Sequence, residues 1–310
     1  MAESQYEKYV VRKPIYEAVA GVKNRQSPSM TFMSRQQVPE VNSYIELGWI
    51  YGIPRPNPYV HEHVHDYDEI ILHWGGRYET PQDLGAEIEF YIGGQPITFN
   101  STTGIFIPRG IPHGPLTWKK FRFPHIEMTV RLGAGEYSEA EGKSGIGERQ
   151  KELPRKNVKF DFEQYVVRSP IRELAPRIPR GRQSPTMTYL SSSHIPGLKY
   201  YLELGWIWDH VERPIPEMVH KDFDEIVLHI GGDPQKPEDL GADLEFHLGG
   251  ELLKFDTSNV TFIPRGLRHG PLSFYNVRKP FIEMAIMLGC GSVQEGWGHA
   301  FENFVPIARP

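Results

Sequence analysis

The chain has 310 residues, 39% of them hydrophobic, which suffices for two ordinary domains with packed cores and argues against disorder. Its net charge of −5, without a basic stripe, argues against a nucleic-acid partner. The single cysteine, Cys290, excludes an intrachain disulfide and a thiolate metal cluster. No apolar run approaches the roughly 20 residues of a membrane span, and the start has no charged segment followed by an apolar run, so we expect a cytoplasmic protein with no membrane contact.

The chain repeats itself once, and the matching segments follow the same order in both halves. Residues 25–28 (RQSP) recur as residues 182–185, and residues 46–50 (ELGWI) recur as residues 203–207. Such ordered self-similarity indicates a duplicated domain. We therefore predict two domains, residues 1–150 and 151–310, with the boundary in the polar, Gly-containing segment 142–155.

Both halves are predicted to consist of β-strands. Residues 44–50 are rich in aromatic and β-branched side chains, and residues 87–92 alternate polar and apolar side chains before Gly93-Gly94. Alternation followed by two glycines predicts a hairpin, and residues 244–253 repeat the pattern. Short helices are expected only near residues 12–20 and after Gly133. Many short strands joined by Gly and Pro turns predict a sandwich, barrel or jelly roll.

The first half carries a group of histidines beside a glutamate. His63 and His65 fall on one face of a strand, because side chains alternate along it. Glu69 follows after a spacing that fits a short turn, and His113 follows a rigid turn that begins at Pro108. Neutral imidazoles with one carboxylate suit Mn, Fe, Co, Ni or Zn, and suit Ca poorly. These four side chains are the predicted ligands of one divalent transition metal.

The same residues resemble the two motifs of the cupin superfamily. The resemblance covers both halves, so the chain is similar to bicupins. It implies two tandem double-stranded β-helix (jelly-roll) barrels, all-β apart from a few short helices, with a metal inside the first barrel. The first motif matches His63, His65, Glu69 and Gly76, and the second matches Pro108, Gly110 and His113.

The second half departs from this pattern. Met218 occupies the place of the first histidine, whereas His220, Glu225 and His269 remain. Two histidines and a carboxylate are a known iron-binding set, but a thioether is a poor ligand for a hard divalent ion. We expect the second barrel to be a weaker metal site, a degenerate site or a purely structural partner, and the first barrel to carry the chemistry.

Three further polar residues are candidate catalytic groups. His73 shares the strand face of Glu69, and it is an acid/base group, a hydrogen-bond partner of a metal ligand, or a hydrogen-bonded core histidine. His125 and Glu127 follow the second motif on a strand that, by the resemblance, lines the cavity. A carboxylate inside a barrel is costly unless it is paired, so Glu127 either points outward or takes part in proton transfer or in binding an arginine.

A metal on the wall of a barrel predicts an enzyme acting on a small molecule that chelates the ion through neighbouring oxygens. The expected reaction is O2-dependent cleavage of a C–C bond, with ring cleavage as one form, in a polyoxygenated substrate such as a phenol, an enol or a 1,3-dicarbonyl. The alternatives are a redox-neutral hydrolase, lyase or isomerase, and a non-enzymatic ligand-binding or storage protein. We also expect a homodimer or higher homo-oligomer, with a tight face between the two domains as the alternative. Both rest on the assumption that the following aromatic residues are exposed: Tyr44, Trp49, Tyr201, Trp206 and Trp208.

Overall fold

The computed structural model describes residues 4–141, 161–173 and 180–298. The chain forms two compact units. The first, Pro14–Ser169, is called the N-terminal barrel below. The second, called the C-terminal barrel, comprises the described residues up to Lys13 and those from Pro170 onward. The predicted boundary segment, 142–155, lies outside the described residues.

The N-terminal barrel consists of antiparallel strands in two sheets. Its larger sheet has the order β12-β9-β6-β11-β5-β4-β2, with β3 also paired to β5, and its smaller sheet has the order β10-β7-β8. The elements are β2 (Ile15–Tyr16), β3 (Lys23–Arg25), β4 (Met30–Met33), β5 (Ser43–Arg55), β6 (Asp68–Gly75), β7 (Asp83–Ile92), β8 (Gln95–Ser101), β9 (Thr103–Ile107), β10 (His113–Phe121), β11 (His125–Leu132), α1 (Tyr137–Glu141), a 3-10 turn (Phe162–Tyr165) and β12 (Val166–Val167).

The C-terminal barrel repeats this plan. Its sheets have the orders β1-β19-β16-β21-β15-β14-β13 and β18-β17-β20. The elements are a 3-10 turn (Glu7–Tyr9), β1 (Val10–Val11), β13 (Ile171–Arg172), β14 (Met187–Leu190), β15 (Tyr200–Ile207), β16 (Asp224–Gly231), β17 (Asp239–Leu248), β18 (Glu251–Thr257), β19 (Asn259–Ile263), β20 (His269–Tyr275), β21 (Phe281–Leu288) and α2 (Val293–Trp297).

A short strand completes the edge of each larger sheet, and it comes from the other half of the sequence. Strand β1 pairs with β19, so that Val10 lies opposite Thr261, and β12 pairs with β9, so that Val166 lies opposite Ile105. The observed units therefore differ from the contiguous ranges 1–150 and 151–310. Each unit includes the short strand from the other half because that strand pairs with the edge of the larger sheet. The pairing satisfies backbone N–H and C=O groups that would otherwise be exposed there.

The predicted all-β fold is confirmed, and the predicted hairpin illustrates why it forms. Along β7 the side chains of Ile88, Phe90 and Ile92 are buried and alternate with partly exposed ones. Gly93 and Gly94 then adopt φ angles of +57° and +80°, which glycine tolerates and which a two-residue hairpin turn requires. The alternation places one apolar face of the strand in the core of the barrel.

Two details of the sequence interpretation are corrected. Segment 12–20 contains β2 and no helix, whereas α1 does follow Gly133. Four of the five aromatic residues taken as exposed are at most 1% exposed, and only Trp208, at 38%, faces solvent. Their bulk fills the barrel cores, because aromatic side chains bury large apolar areas. No helix in the described part of the chain has the length and hydropathy to cross a bilayer.

Candidate metal centre

Backbone pairing brings the two motifs of the N-terminal barrel together. The amide of His63 donates to the carbonyl of His113 at 2.9 Å, and the reverse bond is also 2.9 Å. The amide of Gly110 donates to the carbonyl of His65 at 2.8 Å, in a turn where Gly110 has a φ of +78° that favours glycine. Residues some 50 positions apart in sequence therefore present their imidazoles to one place.

The three imidazoles are held in one tautomer by backbone carbonyls. Nδ1 of His63 lies 2.9 Å from the carbonyl oxygen of His61, and Nδ1 of His65 lies 2.8 Å from that of Tyr67. Nδ1 of His113 lies 2.8 Å from the carbonyl oxygen of Ile111. A carbonyl only accepts, so each Nδ1 carries the hydrogen. Each Nε2 of the neutral ring therefore keeps its lone pair, as a metal ligand must.

The ligand atoms of His63, His65, Glu69 and His113 all lie within 4.8 Å of one another, and all four residues are buried. Oε2 of Glu69 lies 3.3 Å from Nε2 of His65 and 3.1 Å from Nε2 of His113. When two ligand atoms each lie about 2.1 Å from one ion and their bonds to it form a right angle, the two atoms are about 3 Å apart. The predicted ligands therefore come together at spacings that fit one divalent transition metal.

The electrostatics of the cluster also suit a cation. Burial, reinforced by the neighbouring His113, lowers the pKa of His63 to about 3, so its ring is neutral at pH 7. Burial opposes ionisation of Glu69, but the neighbouring imidazoles of His113 and His65 outweigh it and hold the pKa of that carboxyl well below its usual range. An ionised carboxylate is the protonation state that binds a metal, and a bound cation would replace the stabilisation that these imidazoles give it.

Beyond the ligands, buried charged groups continue along the inner face of the barrel. Nε of Arg131 lies 3.4 Å from Oε1 of Glu69, the oxygen turned away from the histidines. Nη1 of the same arginine lies 3.8 Å from Oε2 of Glu46. Arg131 therefore links the metal-binding carboxylate to a second buried acid. Burial raises the pKa of Glu46, although Arg131 and Arg25 act against that rise.

A second pair of opposite charges lies farther along the same wall. Nη2 of Arg25 donates to Oε2 of Glu127 at 3.1 Å, and the hydroxyl of Tyr59 donates to the same oxygen through a short hydrogen bond. The guanidinium of Arg25 also lies over the Tyr59 ring, 4.9 Å from its centroid. Burial raises the pKa of Tyr59 well above its ordinary value, so the phenol is protonated at neutral pH.

These charged side chains line one cavity together with three of the four ligands, His63, Glu69 and His113. Of the three predicted catalytic residues, only Glu127 lines it. The cavity is lined by Val19, Arg25, Glu46, Tyr59, Val60, His63, Glu69, Ile71, Phe90, His113, Leu116, Glu127, Thr129 and Arg131.

His73 and His125 lie instead in the packed core beside this cavity. Both are fully buried, and their ring centroids are 6.3 Å apart. Nε2 of His125 accepts a hydrogen bond of 3.0 Å from Nε1 of Trp118. Burial lowers the pKa of His73 to about 3, and burial together with His73 lowers that of His125 well below its ordinary value. Their placement is that of core histidines. Neither ring nitrogen of His73 has a hydrogen-bond partner among the described residues, so His73 is not the hydrogen-bonded core histidine that the sequence offered as an alternative.

The C-terminal barrel holds a three-residue cluster at the corresponding place. Nε2 of His220 and Nε2 of His269 lie 3.2 and 3.1 Å from Oε2 of Glu225. Nδ1 of His269 lies 3.0 Å from the carbonyl oxygen of Leu267, which again directs Nε2 inward. Met218 forms the backbone bridge to His269 that His63 forms to His113. Met218 therefore occupies the position of His63, and the expected loss of one imidazole from this cluster is confirmed.

The cavity of the C-terminal barrel is less polar than that of the first barrel. The strand register places Met287 where the N-terminal barrel has Arg131, and Ala285 where it has Thr129. One charged pair persists, with Nη2 of Arg182 3.0 Å from Oε2 of Glu283. Trp297 of α2 also lines this cavity. The two barrels thus share a fold and differ in the charge that surrounds the site.

Sequence reasoning missed four residues of the N-terminal cavity. Arg25 and Glu46 lie in the two repeated segments that revealed the duplication, and that repetition was a usable signal. Tyr59 and Arg131 have no like residue in the C-terminal barrel, and no motif marks them. Only the strand pairing that sets His73 opposite Glu127 and Glu69 opposite Arg131 shows which side chains share the inner face.

Comparison with known proteins supports the fold. No protein-family model and no curated protein matches the chain. Among solved structures, AerE from Microcystis aeruginosa superposes with a TM-score of 0.53 at 12% identity, over 91% of this chain and 99% of its own. A variant of Bacillus subtilis oxalate decarboxylase superposes with a TM-score of 0.53 at 12% identity, over 85% of this chain and 72% of its own. A second variant of that enzyme gives a TM-score of 0.55 at 11% identity, over 85% of this chain and 73% of its own.

The chain therefore has the two-domain cupin fold, as the motifs predicted. Each barrel contains a histidine–glutamate cluster that could hold a metal ion. A fold shared at this level of identity does not carry an activity with it. The chemistry of this chain has to be argued from its own cavity residues.

Proposed function

We propose that the N-terminal barrel binds one divalent transition metal through His63, His65, Glu69 and His113, and that the chain is a metal-dependent enzyme acting on a small oxygenated molecule. The observation that carries this proposal is the fixed tautomer of the three imidazoles, whose Nδ1 atoms all face backbone carbonyls. When bound, the ion supplies a Lewis acid for neighbouring substrate oxygens and, if it is iron, a site for O2. We propose a second, weaker site in the C-terminal barrel.

Glu127 is the group that we assign to proton transfer. Glu127 lines the cavity, and its Oε2 accepts hydrogen bonds from Arg25 and Tyr59. These two bonds fix the orientation of the carboxylate. The carboxylate can accept a substrate proton at one oxygen while Arg25 holds it in place. The walls around it are buried, so bulk water competes little for that proton.

For the reaction we propose C–C bond cleavage in a phenol, enol or 1,3-dicarbonyl, ring cleavage included, with O2 as co-substrate and both of its oxygen atoms in the products. A redox-neutral lyase, hydrolase or isomerase is the second candidate. The observation that favours it is Glu127 itself, since an oriented base beside a chelated substrate also serves proton abstraction without an oxidant.

The test begins with metal content. Purified protein is analysed for transition metals, then stripped and reloaded separately with Fe(II), Mn(II), Co(II), Ni(II) and Zn(II). Each form is incubated with a panel of small phenols, enols and 1,3-dicarbonyls while O2 uptake and product mass are measured. Turnover with stoichiometric O2 uptake supports the dioxygenase, and turnover under argon supports the redox-neutral enzyme.

Matched variants locate the activity. Glu127→Gln should lower turnover by roughly 100-fold or more, in the range for loss of a general acid/base, whereas Glu283→Gln at the same position of the C-terminal barrel should not. Equal losses in the two variants would contradict the assignment to the N-terminal barrel. No turnover with any metal, together with tight retention of a ligand, would favour a binding protein instead.

A further inference from the structure

One side chain of the N-terminal cavity has more hydrogen-bond donors than the protein uses. Arg25 is 6% exposed, and its Nε and Nη1 atoms have no hydrogen-bond partner among the described residues. Its Nη2 alone is engaged, by Glu127. Leaving buried donors of a charged group unpaired costs free energy, so such an arrangement indicates a partner that arrives from outside. Arg25 lies outside both metal-binding motifs.

The charge of the cavity indicates the sign of that partner. Its charged lining residues are the carboxylates Glu46, Glu69 and Glu127 and the guanidiniums Arg25 and Arg131. With a divalent cation bound and all three carboxyls ionised, these groups carry one net positive charge inside a buried space. Buried charges are stable when they are compensated. A monoanionic ligand completes the compensation.

The spacing indicates the shape of the ligand. Glu69 lies four residues from His73 on β6, and His73 pairs directly with Glu127 on β11. At about 3.3 Å per residue, the Cα atoms of Glu69 and His73 are about 13 Å apart along the strand. Arg25 contacts the Glu127 end of this row, whereas the metal ligands lie at the Glu69 end. A ligand that reaches both ends has to be longer than a two-carbon acid.

We propose that the substrate is an elongated monocarboxylate, with its oxygen-rich end at the metal cluster and its carboxylate bound by the free donors of Arg25. The inference rests on the proposed metal-dependent function and names its substrate class. A carboxylate accepts two hydrogen bonds from a guanidinium, which gives both affinity and orientation. Tyr59 and Glu127 hold the guanidinium in place from the other side.

The experiment compares two probes that differ only at the far end. Isothermal titration calorimetry on metal-loaded protein measures binding of 3,4-dihydroxybenzoate and of 3,4-dihydroxybenzamide, which share the catechol and exchange a carboxylate for a neutral amide. We expect the wild type to bind the carboxylate about 10-fold or more tightly, the scale of a charge-assisted hydrogen bond. Arg25→Gln should abolish this preference, and Arg25→Lys should retain part of it.

A second variant guards against misfolding of the first. Glu127→Gln removes the negative charge that competes with the ligand for Arg25, so it should strengthen binding of the benzoate more than binding of the benzamide. Arg182→Gln, the matched change in the C-terminal barrel, should keep the wild-type preference. Equal binding of both probes by metal-loaded wild type, binding of neither, or an unchanged preference in Arg25→Gln would overturn the inference.

Metal analysis of the same samples separates this inference from the proposed function. A full metal content without any carboxylate preference contradicts the role of Arg25 and leaves the metal enzyme standing. A wild-type protein without metal contradicts the proposed enzyme. A carboxylate preference that persists in the metal-free protein, and that disappears in Arg25→Gln, upholds the role of Arg25 alone.

Discussion

Arg131 and Glu69 form a buried ion pair in which Nε of the arginine lies 3.4 Å from Oε1 of the carboxylate. The other carboxylate oxygen, Oε2, faces Nε2 of His65 and of His113. One oxygen is thus directed to the cluster and the other is held by a fixed cation. Arg131 therefore orients the carboxylate, and the C-terminal barrel, which has Met287 at this position, does so without an arginine.

This relationship predicts the effect of copying the C-terminal residue. Arg131→Met should weaken metal binding by about 10- to 100-fold, the usual scale for loss of a group that orients a metal ligand. Competition with a fluorescent chelator measures the dissociation constant. Arg122→Met, which removes an exposed arginine paired with Asp83, is the control and should leave the constant unchanged. Equal constants for wild type and Arg131→Met would refute the orienting role.

The two clusters should differ in how much metal they retain. His65→Ala removes one of four ligands, and we expect the purified variant to lose most of the roughly one ion per chain of the wild type. His220→Ala removes a ligand from the weaker cluster and should change the metal content much less. Elemental analysis of both variants after dialysis provides the measurement. A wild type with less than about half an ion per chain, or no loss in His65→Ala, contradicts the site.

Restoring the missing imidazole should strengthen the second site. Met218 takes the place of His63 in the backbone bridge to His269, so Met218→His would supply a fourth ligand beside His220, Glu225 and His269. We expect the variant to retain close to one additional ion per chain after dialysis. Met218→Leu keeps the site apolar and serves as the control. If Met218→His gains no metal, the C-terminal cluster is structural.

The buried pair Trp118 and His125 allows a test of the catalytic assignment. His125→Phe copies Phe281, its counterpart in strand register, and it removes the acceptor for the Trp118 indole N–H. We expect a loss of about 1–3 kcal/mol in the free energy of unfolding, because a buried donor is left unpaired. Metal content and probe binding should not change.

The double variant checks the cause of that loss. In the C-terminal barrel the strand register places Phe274 at the position of Trp118, beside Phe281. Trp118→Phe combined with His125→Phe reproduces that pair and leaves no unpaired indole donor, so it should recover part of the stability. Urea unfolding measures all three proteins. A fall in metal content or in probe binding for His125→Phe would instead favour the catalytic role that the sequence suggested for this histidine.

Glu203 should make the C-terminal barrel sensitive to pH. Burial raises its pKa from 4.5 to about 8, against hydrogen bonds from Thr186 and Tyr201. In the unfolded chain the carboxyl ionises near its ordinary value, while in the folded barrel it stays protonated until about pH 8. The unfolded state therefore binds fewer protons in this window, and the free energy of unfolding falls by about 1.4 kcal/mol per pH unit from this group.

The measurement is urea unfolding of metal-free protein between pH 4 and 8. Glu203→Gln keeps the shape of the protonated acid and cannot ionise, so its stability advantage over wild type should be absent near pH 4 and should grow toward pH 8. A difference between the two proteins that does not depend on pH would show that Glu203 titrates normally in the folded barrel.

Much of this protein follows from its sequence alone. The duplication, the all-β fold and the two candidate metal-binding clusters depend on order, period and spacing along the chain, and these determine which way neighbouring side chains point. His63 and His65 share a strand face because two residues separate them. His113 joins them through the glycine turn at Gly110, which the motif already contained. Local geometry of this kind is visible in a linear sequence.

Other features were decided only by the tertiary structure. Strand pairing places Arg25 on Glu127, more than a hundred residues away, and directs Glu127 into the cavity while His125, two residues earlier, packs under Trp118. The edge strands exchanged between the two halves, and the burial of aromatic side chains assumed to be exposed, likewise depend on long-range pairing. Compensation of buried charge is a property of the folded interior, and the spacing of residues along one strand does not encode it.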